Sequence, residues 1–288
     1  MKQLIYIALI FFCISCRKDV TPKLPAYKEK VVIEASIEIG GLTTVYLSHS
    51  VPYFGDFDYS APQAAFIKGG LVVVSDGIVR DTLKEIDPSL GYLYIGTKIT
   101  GQEGKTYSLS VTVGGKTFET STTILHPPKL DSVYYKPAGG GLDSLGFIMQ
   151  TFSEPAGSGD CYRWLAKRLH RDQFYAAPFG SAFNDQFVDG KKFEFGYDRG
   201  PQPNQLTQNK NDPERGYYKR GDTVVVKFCK IGRAEYDFWN TYYLNKSSNG
   251  NPFSAPTNIK SMFADHDNAF GAFTGYGQSY DTLIIPKH

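Results

Sequence analysis

From residue 31 onward the chain alternates between apolar and polar positions. Val31, Ile33, Ala35, Ile37 and Ile39 interleave with Val32, Glu34, Ser36 and Glu38, a period of two that gives a strand one apolar face. Gly40-Gly41 follows, a pair that permits the positive φ of a tight hairpin, before a second strand over 43–48. The same logic joins 71–75 to 78–84 through Asp76-Gly77, and 105–113 to 116–123 through Gly114-Gly115. A short strand over 92–95 lies between these hairpins. About seven strands in roughly 100 residues is the density of an immunoglobulin-like sandwich, predicted here over residues 29–126.

His126-Pro127-Pro128 then interrupts the pattern. Consecutive prolines lack ladder donors and stiffen the chain, so a boundary is predicted there, with a β-rich C-terminal domain over 127–288. Its strands are expected at 130–136, 145–153, 222–230, 271–277 and 282–285. The segment 161–170 fits either a strand or a helix, and its Tyr and Trp content favours the strand. A single helix is predicted over 234–244, where Tyr236, Trp239, Tyr243 and Leu244 recur at helical spacing. The fold class is therefore mainly β: two tandem β-sandwich domains, the N-terminal one immunoglobulin-like, with one short helix in the C-terminal half.

Composition sharpens this picture. Twenty Tyr and twenty Phe with 29 Gly and 16 Pro favour short strands joined by tight turns. The formal net charge is only +2, and both signs are mixed along the chain. With no basic patch, nucleic acid is not an expected partner. Beyond residue 16 the only cysteines are Cys161 and Cys229; an exported chain can bridge such a pair, and two buried free thiols are the alternative.

The chain opens on a different pattern. Residues 4–14 form an unbroken apolar run after Lys2, followed by Ser15, Cys16 and Arg17-Lys18-Asp19. About eleven apolar residues match a signal-peptide core and fall short of the ~20 a spanning helix needs. A small residue directly before the cysteine resembles a bacterial lipoprotein signal. On that reading residues 1–15 are removed, Cys16 is lipidated, and 16–28 form a tether. Each acyl chain contributes about 0.8 kcal/mol per buried CH₂, and two chains suffice for stable anchoring. Arg17-Lys18-Asp19 resembles a short surface-export tether and reads equally as a plain charged linker.

Motifs along the mature chain carry a wider resemblance. Ser75-Asp76-Gly77, Gly91-Tyr92, Gly104-Lys105-Thr106-Tyr107, Asn184-Asp185-Gln186-Phe187 and Ala269-Phe270-Gly271-Ala272-Phe273 occur in an order similar to that of domain-of-unknown-function family 4249, lipoproteins of Bacteroidota. The resemblance implies an outer-membrane lipoprotein, often encoded beside TonB-dependent transporters, and brings no catalytic residues with it. Asp265-His266-Asp267 stands where a glycine-rich turn is more usual in that family.

No motif of catalysis was found: Gly-x-Ser-x-Gly, a Walker loop, a dinucleotide glycine motif and His-Glu-x-x-His are all missing from the sequence, and no cofactor is called for. Asp265, His266 and Asp267 with Asn268 form the most suggestive polar cluster, open to a metal or a sugar, but alternating neighbours point to opposite sides and a solvated turn accounts for them more simply. Asn184, Asp185 and Asp189 read as turn chemistry for the same reason. Two aromatic segments remain: Tyr53, Phe54, Phe57 and Tyr59 in one, Phe174, Tyr175 and Phe179 in the other. Such rings stack on glycans or anchor peptides, or fold back to cap a core. The sequence therefore predicts a membrane-anchored, non-catalytic binding or accessory lipoprotein with a glycan or peptide as ligand, and the family resemblance implies a TonB-dependent transporter as partner. The alternatives are a structural or adhesive envelope protein and a glycoside hydrolase with a cryptic carboxylate pair.

Overall fold

The computed structural model describes residues 27–51, 65–86, 93–202, 212, 214–248 and 257–287. The first alternating segments form β1 (Val31–Glu38) and β2 (Leu42–His49), joined through Gly40 at φ 75°. They are followed by β3 (Leu71–Ser75), β4 (Arg80–Thr82), β5 (Lys84–Ile86), β6 (Leu93–Thr100), β7 (Thr106–Val113) and β8 (Lys116–Thr123). The segment expected as one strand over 78–84 is divided. β4 pairs with β3 in one sheet and β5 with β6 in the other, the chain changing sheets at buried Leu83. Ile33, Ala35, Ile37, Val45 and Leu47 on one side meet Val72, Val74, Leu109, Val111 and Phe118 on the other. This is a β-sandwich whose inward faces were marked by the alternation.

The second half contributes β9 (Ser132–Pro137), β10 (Leu145–Ser153), β11 (Cys161–Arg168), β12 (Ala182–Asn184), β13 (Lys192–Tyr197), β14 (Tyr218–Lys219) and β15 (Thr223–Ile231). The helix α1 (Arg233–Ser248) and the long strand β16 (Ala269–Ile284) complete it. A second sandwich core joins Ile148 and Phe152 of β10, with the partly buried Phe193 and Phe195, to Tyr162, Trp164, Val226 and Phe228 of the facing sheet. Edge-to-face ring contacts such as Phe152 on Phe228, with centroids 5.1 Å apart, fill it. The ambiguous 161–170 segment is thus a strand. The helix runs farther than 234–244 and turns Phe238, Trp239, Tyr242 and Tyr243 inward, leaving Leu244 exposed.

The boundary expected at 126/127 is crossed by β16. Its first half pairs in parallel with β1, from Ala269 opposite Val31 to Tyr276 opposite Glu38. Its second half pairs antiparallel with β15, from Gly277 opposite Lys230 to Ile284 opposite Thr223. What was expected as two closing strands is one, and it joins the halves into an eight-stranded sheet, ordered β12-β11-β15-β16-β1-β2-β6-β5. Phe263, Ala269 and Phe273 consequently belong to the first core, so residues 127–288 do not form a self-contained unit. Glycine makes the crossing possible: a Cβ on Gly277 would lie 1.9 Å from the Leu125 carbonyl oxygen, where the proline-bound connection passes over the strand.

Candidate functional site on the outer face of the long sheet

Register decides which side chains share the face of the eight-stranded sheet that points away from both cores. Residues directly opposite in neighbouring strands point to the same side. Arg163 lies opposite Cys229, which lies opposite Gln278. Tyr276, two residues earlier on β16, lies opposite Glu38 of β1, and Glu34 lies opposite Tyr46 of β2. One surface therefore carries Arg163, Lys227, Cys229, Tyr276, Glu38, Glu34 and Tyr46. Helix α1 covers its β11–β15 side, packing Phe238 and Trp239 on Cys161, Cys229, Ile231 and Tyr276.

Arg163 is the chemical centre of this face. It is buried at 5 % exposure, and its guanidinium lies 3.4 Å from the centre of the Trp239 ring. One Nη donates to the Tyr276 hydroxyl and the other to the Tyr243 hydroxyl at 3.5 Å, while Nε is buried without a partner. Among the described residues no carboxylate pairs with it. A guanidinium stays charged, so this is a buried cation held by aromatic faces and phenol oxygens, an arrangement worth about 2 kcal/mol or more for a desolvated cation–π contact. Trp239 is fixed in turn by donating Nε1–H to Thr274 Oγ1 at 3.0 Å, and Tyr243 by donating to the Ala177 carbonyl at 3.2 Å.

Beyond the edge of α1 the same face opens. Solvent reaches the Glu34 side chain, yet the protein around it raises its pKa by desolvation, an effect that the Arg163 charge opposes. Desolvation, then the Glu34 charge, pushes the Tyr46 phenol up, and the same two causes lead for Tyr242. Ser36 and Thr44 hydroxyls meet at 3.1 Å beside them. At the far end Lys227 pairs with Glu38, and its ammonium sits 4.8 Å from the Tyr276 ring centre. Such a surface offers flat rings, a carboxyl group and hydroxyl donors along one line, the equipment of a site for a polar, extended ligand.

The residues expected from sequence are distributed unevenly over this geometry. Tyr175 joins the face: its ring lies 6.3 Å from Tyr280 and 4.8 Å from the Lys167 ammonium. Phe174 is half-buried and Phe179 is 60 % exposed on the same loop, so the three do not form one patch. Cys16, Tyr53, Phe54, Phe57 and Tyr59 lie outside the described residues.

Asp265, His266 and Asp267 do not converge. The Asp265 carboxylate accepts from Asn268 Nδ2 at 2.8 and 3.0 Å, and its carbonyl accepts from Ala269 N at 3.0 Å, which closes a turn. His266 faces a separate groove, discussed below, and Asp267 is exposed. Asp185 likewise accepts from Gly159 N and Asp160 N at 2.7 and 2.8 Å, as turn chemistry requires.

Cys161 and Cys229 are free thiols, and the bridge held open by the sequence is not made. Cys161 stands opposite Ile231, and Cys229 opposite Arg163. This diagonal offset separates them by about 7–8 Å, beyond the ~7 Å limit for closure. Burial, the leading cause, pushes the Cys161 thiol up to about 11 and Cys229 up to about 12, so both act as packing groups. Sequence reasoning missed Arg163, Glu34 and Tyr46. A lone arginine inside the otherwise apolar run Cys161-Tyr162-Arg163-Trp164-Leu165 was the available signal.

The profile of a family described as "Domain of unknown function (DUF4249)" matches residues 17–281. The chain belongs to that family. No curated protein matches it.

Proposed function

We propose that this chain is a binding lipoprotein, held to the outer membrane through acylated Cys16 and facing the cell surface, with the outer face of its long sheet as the ligand platform. The observation that carries this reading is the uncovered stretch of this face beside α1. There a buried, carboxylate-free Arg163 orients Tyr276 and Tyr243, next to solvent-reached Glu34 and Tyr46. Rings with interspersed hydrogen-bonding groups suit a glycan or an extended peptide. A TonB-dependent transporter as partner would take up what the platform captures. Binding is favoured over glycoside hydrolysis by the spacing of the two acids on this face. Glu34 and Glu38 are four residues apart on one strand, about 13 Å, whereas paired catalytic carboxylates stand about 5–9.5 Å apart.

Anchoring and binding are tested separately. Labelled palmitate is expected to enter the wild-type chain and not Cys16→Ala, which moves to the soluble fraction; identical labelling and fractionation of the two refutes the anchor. For the platform, the chain from Arg17 onward is applied to a glycan and peptide array. A bound species whose signal is lost in the folded Tyr46→Ala, Glu34→Ala double variant supports the site. Unchanged binding by that variant removes it.

A further inference from the structure

We propose that the groove at the start of β1 is a second binding site, one that takes a phosphate-bearing ligand. The groove has a volume of about 870 Å³, within the ~300–1,000 Å³ range of small-molecule sites. It continues the same outer face, since Phe270 in its wall lies opposite Val32. Its wall includes Lys28, Lys30, Lys260 and His266, together with Tyr27 and Asn258, and no described lining residue is Asp or Glu.

Two of the acids that flank the groove are committed elsewhere, and the exposed Asp267 is not among the lining residues. Glu29 bonds His49 at 2.7 Å, and Asp265 is held by Asn268. Lys30 donates its Nζ to the His266 carbonyl at 2.6 Å, a neutral acceptor that fixes the ammonium across the groove without cancelling its charge. Lys260 reaches Asp237 at 3.3 Å, but that carboxylate also serves Arg233 at 3.2 Å. Lys28 makes no ion pair among the described residues. Three lysines thus line one concave surface that has no acid in its described lining, a setting that favours an anion over a cation.

The donor set selects among anions. A carboxylate is best held by the planar fork of an arginine, and this wall has none. Ammonium groups act as point charges, and several of them, with amides and hydroxyls between, match the oxygens that a phosphate presents in every direction. The rings of Tyr27 and Phe270 add a flat apolar wall for a sugar or glycerol group carrying that phosphate. The phosphate has two sources, a soluble phosphorylated sugar and a lipid headgroup. This inference stands on the groove alone and does not depend on the anchor or on the face beside Arg163.

The test uses the chain from Arg17 onward, which keeps every described residue. Inorganic phosphate and glucose 6-phosphate are titrated against glucose as the neutral control, at about 20 mM salt, where screening is weak. Pelleting with phosphatidylglycerol vesicles is compared with phosphatidylcholine vesicles. Binding of the soluble phosphates identifies a soluble ligand, and pelleting by phosphatidylglycerol alone identifies a headgroup; either supports the site. The Lys28→Ala, Lys260→Ala pair, and separately Lys30→Gln, are expected to weaken that binding, the pair by roughly tenfold. Unfolding curves check that each variant still folds. The proposal is overturned if no phosphate-bearing probe exceeds its neutral control. It is also overturned if these variants bind like wild type, or if Lys84→Ala, Lys105→Ala on the remote surface weakens binding equally.

Discussion

β1 and β11 are strands of eight residues in one sheet, yet they are buried differently. β1 hides Ile33, Ala35 and Ile37 and leaves Glu34 to solvent, whereas in β11 the six residues from Cys161 to Ala166 are all buried. Both strands face a sandwich core on one side. The difference lies on the other side, where α1 packs over β11, β15 and part of β16 and ends before it reaches β1 and β2. A strand covered on both faces loses its alternation, and one covered on a single face keeps it. The site arises at the border between these regimes, because there a buried cation and a solvent-reached carboxyl stand on one surface.

The comparison is broken most severely by truncating a residue on the doubly covered strand. Trp164 is fully buried, donates Nε1–H to Gln150 at 3.1 Å and lies 5.1 Å from the Tyr197 ring. Trp164→Ala is expected to cost about 3–5 kcal/mol of unfolding free energy. Tyr46→Ala, on the open face, is expected to cost about 1 kcal/mol. Urea unfolding of both variants measures the contrast. Equal losses would mean that Tyr46 on the outer face is as enclosed as a residue of the sandwich core, and that this face is not open to a ligand.

The same contrast explains what could be read from the sequence. The one-faced strands β1, β2, β7 and β8 were legible as strands because their period of two is written in single residues, with glycine pairs at Gly40 and Gly114 marking the turns. β11 was ambiguous because an apolar run without alternation fits a strand or a helix equally well. The helix was found with Tyr236, Trp239 and Tyr243 on its packed side, but Leu244 sits on the exposed flank, and Phe238 and Tyr242, which also face the sheet, were missed. The sharing of β16 was hidden altogether. Parallel pairing between residues near 31 and near 270 leaves no local trace, and the prolines at 127 and 128 marked a crossing where a boundary was expected. The candidate site shares that cause: Glu34, Tyr46, Arg163 and Tyr276 meet only through long-range register. Tyr175 was identified by composition, and composition says nothing about what lies beside it.

A smaller effect sharpens the contrast from the N-terminal half. Asp81 is fully buried at the point where the chain changes sheets. Its Oδ2 accepts from Thr97 N, Lys98 N and Ile99 N at 2.7, 2.6 and 3.2 Å. Burial alone would raise its pKa, but these backbone donors outweigh it and hold the carboxyl below the ordinary range. Asp81→Asn keeps the shape and loses the charge-assisted bonds, for an expected cost of about 1–2 kcal/mol near neutral pH. A depressed native pKa gives stability that is complete above the unfolded value, about 3.9, and is lost as pH falls through the native value. The gap between wild type and variant should therefore stay level from about pH 8 to 5 and close below about pH 4. A gap that persists under acid would show that the loss comes from packing and not from the carboxylate.

Glu34 is predicted to behave in the opposite way, with the smallest effect. Its native pKa is raised, by desolvation first and against the pull of Arg163. For such a group the stabilising contribution belongs to the protonated form; it is present in full below the unfolded value, about 4.3, and is lost as pH rises through the native value. Once ionised, Glu34 thus carries a charge its surroundings resist. Glu34→Gln, which removes that charge, is expected to stabilise the chain by about 0.5 kcal/mol or less, because solvent still reaches the group. The gain should vanish below about pH 4, where both chains present a neutral side chain. If Glu34→Gln instead destabilises the chain at pH 7, the Arg163 charge outweighs desolvation. Glu34 and Arg163 would then act as an ion pair within the fold, and this face would have no carboxyl left to offer a ligand.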